Sequence, residues 1–196
     1  MDESSFTVGG ALWINLCNTI ANHNKKRADL LDNPEAAKRW LEVNELVLAQ
    51  DRSKLDESDT WEQVSSRLHE LRILSRTAIS DLKKRESLSK TLLSSLDKIL
   101  RDVMVHPNLV NKKEKWEIDF AGTNPIDHVT YHIIQSLLET VQTISPDRIR
   151  ECEHENCILS FIDTSKSGRR RWCRMSTCGN RTKAAEFYAR KKQNKG

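Results

Sequence analysis

The sequence predicts a mainly α protein. A helical N-terminal domain, interrupted by one small β-hairpin, precedes a compact C-terminal module stapled at cysteines. Three observations carry this. Apolar residues recur at three- and four-residue spacing in segment after segment up to Ile144. The pattern breaks once, over residues 103–121, where "VMVHPNLVNKKEKWEIDF" alternates around a polar turn. Four of the five cysteines lie beyond residue 151.

In chain order, "ALWINLCNTIA" at 11–21 puts Trp13, Leu16, Cys17 and Ile20 on one helical face, with Asn15, Asn18, Thr19 and Asn22 mostly elsewhere. Asn18 and Thr19 are candidates for lining a small-molecule pocket in the helical domain; core hydrogen bonding is the alternative use. In "DNPEAAKRWLEVNELVLAQ", Asn33 is placed to cap, Pro34 suits the first turn and Glu35 faces the positive end of the dipole. The next segment offers Asp59 or Thr60 as a cap and the stripe Trp61, Val64, Leu68, Leu71, Leu74, Ala78, Leu82. Leu88, Leu92, Leu96, Ile99 and Val103 form another stripe. Two extended segments then flank the turn Asn111–Glu114. Asn124 and Pro125 open the last long helix, with Ile126, Val129, Ile133, Leu137, Val141 and Ile144 as its buried stripe. "SPDR" at 145–148 punctuates the chain, and the domain boundary is expected there: 1–147 helical, 148–196 cysteine-rich.

Composition narrows the function classes. No apolar run approaches the ~18 residues a membrane span needs, and MDESSFTVGG is acidic with no basic-then-apolar leader, so the expected compartment is the cytoplasm. The net charge of +4 is unevenly placed. From Glu151 onward Lys and Arg number 11 against 5 Asp and Glu, whereas the first 150 residues hold 21 against 23. A slightly acidic body thus carries a basic tail, which points to a polyanion as the tail's partner. No catalytic constellation stands out. His128 and His132 are four apart on a helix but lack the neighbouring Glu and a third ligand, and there is no Gly-rich phosphate loop or Gly-x-Ser-x-Gly. The chain reads as a non-enzyme.

The cysteines fall as Cys152-x4-Cys157, fifteen residues, then Cys173-x4-Cys178. Disulfides, free thiols, an iron–sulfur cluster and ligation through His154 are competing uses. Paired spacing in a cytosolic chain favours tetrahedral Zn2+, with sulfur at about 2.3 Å. Residues 158–163 read as one strand and "RRRWC" as its returning partner, with Gly168 in the turn. Gly179 supplies backbone freedom after the second pair, Asn180 is placed as N-cap, and Arg181 opens a final helix. Knuckle, hairpin, knuckle, helix is the order of a treble-clef-like zinc finger.

"CEHENCILSFIDTSKSGRRRWCRMSTCGNRTKA" resembles the CGNR zinc finger, down to Phe161, Asp163, Ser165, Arg170, Arg171, Trp172 and the final Cys178-Gly179-Asn180-Arg181. "INLCNTI" and "LLDNPEAAKRWL" are similar to the opening of the ABATE domain, with Asn15 where that pattern has an acid. The resemblance implies a bacterial stress-linked transcription regulator whose finger binds DNA.

From Lys166 to Lys195, 11 basic residues face the single acid Glu186. Arg169, Arg170, Arg171, Arg174, Arg181, Lys183 and Arg190 are the candidate nucleic-acid contacts. On an alternating strand Arg170 points opposite to Arg169 and Arg171. Asp163 is a candidate carboxylate for Arg181, whose charge is disfavoured at a helix start. Trp172, Phe187 and Tyr188 are expected in the finger's small core, with base stacking as the alternative. DNA, a small-molecule effector of the helical domain and a second copy of the chain are the expected partners. The rival is a zinc-stapled module that binds RNA or an acidic protein.

Overall fold

The computed structural model describes residues 3–23, 26–112 and 114–193. Lys113 of the expected turn and residues 194–196 of the basic tail lie outside them. The elements are α1 Leu12–Cys17, β1 Ile20–His23, β2 Lys26–Asp29, α2 Pro34–Val43, α3 Ser58–Arg85, α4 Lys90–Leu100, β3 Val105–Lys112, β4 Lys115–Gly122, α5 Pro125–Thr143, β5 Ile149–Glu151, β6 Ser160–Ile162 and α6 Asn180–Gln193. Each strand pair is a separate antiparallel ribbon: β1–β2, β3–β4 and β5–β6.

The main core lies where α1, α3 and α5 meet. Trp13, Ile14 and Leu16 of α1 are fully buried against Val64, Leu68, Leu71, Ala78 and Leu82 of α3, with Val129, Ile133 and Leu137 of α5 in the same cluster. Polar pins fix the angle at which α1 enters. Trp13 Nε1 donates to Thr140 Oγ1 at 3.1 Å, and the Leu12 amide donates to Ser136 Oγ at 3.1 Å. The caps at Asn33 and Asn124 form as expected, accepting from the amides of Ala36 and Asp127, each at 2.9 Å.

Three sequence expectations are corrected in the body. The first helix ends at Cys17, not near Ala21, and Ile20 starts a strand. Thr19 Oγ1 donates back to Leu16 O at 2.7 Å, the kind of local bond with which Thr and Asn compete against helix continuation. Asn15, Asn18 and Thr19, expected mostly off the buried face, are all buried. The long helix starts at Ser58, so Asp59 and Thr60 are inside it and neither caps. On α5 the buried face is rotated. Thr130, Ile134 and Thr140 join it, while Ile126, Val141 and Ile144 sit at its margin.

The β1–β2 ribbon is held to α3 by charge. Arg72 reaches both carboxylate oxygens of Asp29 at 2.6 Å and donates to Thr19 Oγ1 at 2.8 Å. The Asp29 carboxyl is held below its ordinary range: burial opposes this, but the hydrogen bonds from Arg72 outweigh it.

The cysteine region rests on this body. Ile149 and Ile162, which follow the expected boundary, pack into the main core. Asn18 makes a paired contact with the Ser160 backbone, accepting from its N–H at 2.9 Å and donating to its carbonyl at 2.8 Å. The Ile162 amide donates to Gly9 O at 2.9 Å. Among the described residues, no helix is long and apolar enough to cross a membrane.

Candidate metal centre

β6 delivers Phe161 and Asp163 into the finger. Its partner is β5, with Arg150 opposite Phe161, and not the arginine run expected to return as the second strand. Residues 169–173 cross beside the first knuckle and touch it through one backbone bond, Glu153 N–H to Arg171 O at 2.9 Å. The reason is Asp163. Its buried carboxylate accepts from the Ser165 amide at 2.9 Å and the Arg170 amide at 2.8 Å, which pulls the chain out of a ladder and into a turn. Burial alone would raise its pKa, but the hydrogen bonds from Ser165 and Arg170 and the nearby Arg148 charge hold it below the usual carboxylate range. Gly168 has φ of +65°, and a Cβ there would lie 2.8 Å from the Arg148 guanidinium, which donates to Ser165 O at 2.7 Å.

The first knuckle is closed by Cys157 N–H to His154 O at 2.8 Å. His154 Nδ1 accepts from the Asn156 amide at 3.2 Å, and His154 is not among the residues that gather at the centre. The second knuckle is a wide helical turn, Met175–Gly179, that runs directly into α6. Two expectations fail here. Gly179 has no positive φ; a Cβ there would meet Met175 Sδ at 2.4 Å, so the Met175 side chain lies against this glycine and would have to move aside for any larger residue. Asn180 is not a cap either. It already has helical angles, φ −66° and ψ −39°, and its side chain donates to Ser176 O at 3.4 Å.

These two knuckles bring the sulfurs of Cys152, Cys157, Cys173 and Cys178 within 4.8 Å of one another. Cys157 and Cys173 Sγ are 3.8 Å apart, and Cys173 and Cys178 Sγ 3.7 Å. Four thiolates about 2.3 Å from one tetrahedral ion stand about 3.8 Å from each other, so the donor set fits Zn2+. The same distances exclude a disulfide, which needs about 2.05 Å. Without a cation the Cys152, Cys157 and Cys173 thiols conflict. Hydrogen bonds from Cys157 and Cys173 pull Cys152 down to about 2. Those same bonds push Cys157 up to about 12 and raise Cys173 as well. A divalent ion lets all four ionise. Among the described residues this is the only such group of ligands. His128 and His132 pack edge to face, with ring centroids 4.3 Å apart.

The expected basic contacts divide into two sets. Arg170 turns inward: its guanidinium lies 4.4 Å over the Phe161 ring, its Nε donates to Trp172 O at 2.9 Å, and an Nη donates to Cys173 O. It is a structural bolt of the finger. Arg171 pairs with Glu153 at 2.5 Å, and Arg174 bonds Ser4 of the N-terminal segment. Arg169, Arg181, Lys183 and Arg190 are exposed, and none forms an ion pair among the described residues. Asp163, the expected partner of Arg181, is occupied by Ser165 and Arg170.

The finger's core is Phe161 with Cys152, Cys173 and Cys178, and Trp172 packs partly against it. Phe187 and Tyr188, expected in that core, are 56% and 69% exposed on α6 and touch each other edge to face. Arg148 and Arg150, which brace the turn from below, were not among the expected site residues; their signal is the basic pair just ahead of the first cysteine. Asn18 and Thr19 are used in the hydrogen bonds already described; Asn18 also lines a cleft beside α3, and Thr19 is not among the residues that line it.

Comparison with known proteins agrees with this geometry. No curated protein matches the chain. Residues 148–191 match the family model of the CGNR zinc finger. Residues 10–141 match that of ABATE, described as "Putative stress-induced transcription regulator". The sulfur quartet, the second knuckle running into α6 and the helical core therefore meet in one assignment: the chain belongs to the ABATE family and carries a CGNR zinc finger.

Proposed function

We propose that the chain is a DNA-binding transcription regulator. One Zn2+, held by Cys152, Cys157, Cys173 and Cys178, fixes the finger, α6 is the recognition helix, and residues 1–147 form the domain that senses a ligand or partner. One observation carries the DNA assignment. α6 runs for 14 residues without burying a single one, and bears Arg181, Lys183, Arg190, Lys191 and Lys192. A helix exposed on all sides gains little from its own chain, so its surface is available to a partner. At 1.5 Å per residue it is about 21 Å long, and the major groove admits a helix of this kind. Lys183, Phe187 and Arg190 share one face of α6, and Arg181, Tyr188 and Lys192 another, so either face offers two cations to the phosphates.

Selection of the zinc-loaded protein on random duplex DNA tests this reading. Enrichment of a common sequence supports it; retention without any sequence preference contradicts operator recognition. A second reading rests on Phe187 and Tyr188, exposed side by side among cations, which is the composition of a stacking platform for single strands. Competition separates the two: single-stranded RNA displacing duplex DNA at equal nucleotide concentration favours the second.

A further inference from the structure

A cleft of about 420 Å³ runs between α3 and the finger, a volume typical of small-molecule sites. Its floor is α3, with Arg76, Ile79 and Lys83 on one face. Arg27 of β2 closes one side, and Glu151 and Ile158 of the cysteine region form the other wall. The charges do not balance. Lys83 is paired with Glu151 at 2.6 Å, which leaves Arg27 and Arg76. Arg27 is exposed and forms no ion pair among the described residues. Arg76 is half-buried, and among the described residues its one hydrogen bond is to the Cys17 carbonyl at 3.3 Å. Its neighbour Arg72 pairs with Asp29; Arg76 forms no ion pair among the described residues. Removing a guanidinium from water is costly, and here burial lowers the Arg76 pKa, with the Arg72 and Arg27 charges adding to the effect and the Asp29 carboxylate, already paired with Arg72, offsetting only part of it. Beside these cations the cleft has an apolar side, Ile79 and the 43% exposed Ile158.

We infer that this cleft binds a small organic anion, its carboxylate or phosphate held by Arg27 and Arg76 and its apolar body lying on Ile79 and Ile158, and that the occupied cleft fastens the finger to the body. The inference rests on the regulator reading for its biological purpose, but its physics is separate. The cleft lies along the seam made by the Asn18–Ser160 pair and the Lys83–Glu151 ion pair, so a ligand touching both walls favours the docked arrangement over any other. A molecule of this class would set how rigidly α6 is presented.

The test uses the full-length zinc-loaded protein and amide NMR at constant ionic strength, with sodium benzoate, phenyl phosphate and neutral benzamide as probes. Benzoate, phenyl phosphate or both should shift the amides around Arg76, Lys83 and Ile158 saturably with Kd at or below ~1 mM, and benzamide should not. Whichever of the two binds more tightly identifies the anionic group. Arg76→Met should weaken binding about ten-fold or more, the factor for losing one charged donor, and Arg76→Lys should keep part of it. The exposed Arg27→Gln gives the same reading should Arg76→Met not fold. The bound anion should also slow hydrogen exchange of the Ser160 and Ile162 amides. Equal binding of benzamide, unchanged affinity in both arginine variants, or no saturable shift with either anion overturns the site. Binding without slower exchange overturns the fastening. None of these readouts involves DNA, so failure of duplex binding would remove the regulator reading and leave this result to stand or fall alone.

Discussion

The body hides its apolar side chains along two long helices, α3 and α5, and the shorter helices packed on them, so its stability is spread over many contacts. The finger has Phe161, three buried cysteines and a polar network joining Asp163, Arg170 and Arg148. So small a core leaves the finger dependent on its staple, because a short segment cannot bury enough apolar surface to offset chain entropy. The two regions should therefore fail differently: the body tolerates the loss of any one contact, whereas the finger is lost with its metal.

The largest effect is expected at the staple. Cys178→Ser should remove the metal and unfold the finger, since zinc supplies about 10–16 kcal/mol in structural sites of this kind. The body's helical signal should persist. Metal analysis together with circular dichroism checks this, and a Cys178→Ser protein that keeps one zinc per chain and a folded finger would erase the contrast. The next effect concerns the boundary at residues 147 and 148. A chain ending at Asp147 should keep a cooperative transition but lose roughly 3–6 kcal/mol, the value of two buried isoleucines, because Ile149 and Ile162 lie in the body's core. Loss of any cooperative transition on heating would show that body and finger are one folding unit.

A third effect belongs to the body alone. His128 is buried, its Nδ1 accepts from the Gly122 amide at 3.3 Å, and burial, helped by His132, pushes its pKa down to about 4. Asp51 and Asp119 face it and offset part of that shift. Unfolded chains take up this proton below about pH 6.5, the folded body only below about 4. Stability should thus be full above pH 6.5 and fall as pH drops towards 4, by about 3 kcal/mol in all. Melting curves at several pH values check this: His128→Asn should show a shallower decline than the parent protein, and parallel declines would remove His128 as the cause.

The same contrast explains what the sequence made legible. Periodicity and caps report local amphipathy, so α2, α5 and the β3–β4 hairpin stood out, as did a cysteine quartet whose spacing is itself local. Features set by distant partners did not. Asn18 meets Ser160 across 142 positions, Arg72 meets Asp29 across 43, and nothing in the neighbouring residues announces either bond. In the finger, a run of arginines looked uniformly available for phosphate, yet Asp163 draws the chain into a turn that stacks Arg170 over Phe161 and leaves Arg169 outside. The close approach of Gly179 to the Met175 side chain was not legible either, since it depends on how the second knuckle packs. Phe187 and Tyr188 misled because aromatic residues in a small module normally fill its core; here sulfur and Phe161 already do.

The smallest effect on stability carries the most about function. Changing Arg181, Lys183 and Arg190 together to Ala should leave zinc content and melting temperature essentially unchanged, because all three are exposed and form no ion pair among the described residues. Affinity for duplex DNA, measured across a range of salt concentrations, is the most direct test of α6 as a recognition helix. The triple variant should bind more weakly, and the slope of log K against log salt should flatten by about 0.9 for each phosphate that is no longer neutralised. An unchanged slope and affinity in a variant that keeps its zinc would contradict the assignment of α6 to DNA.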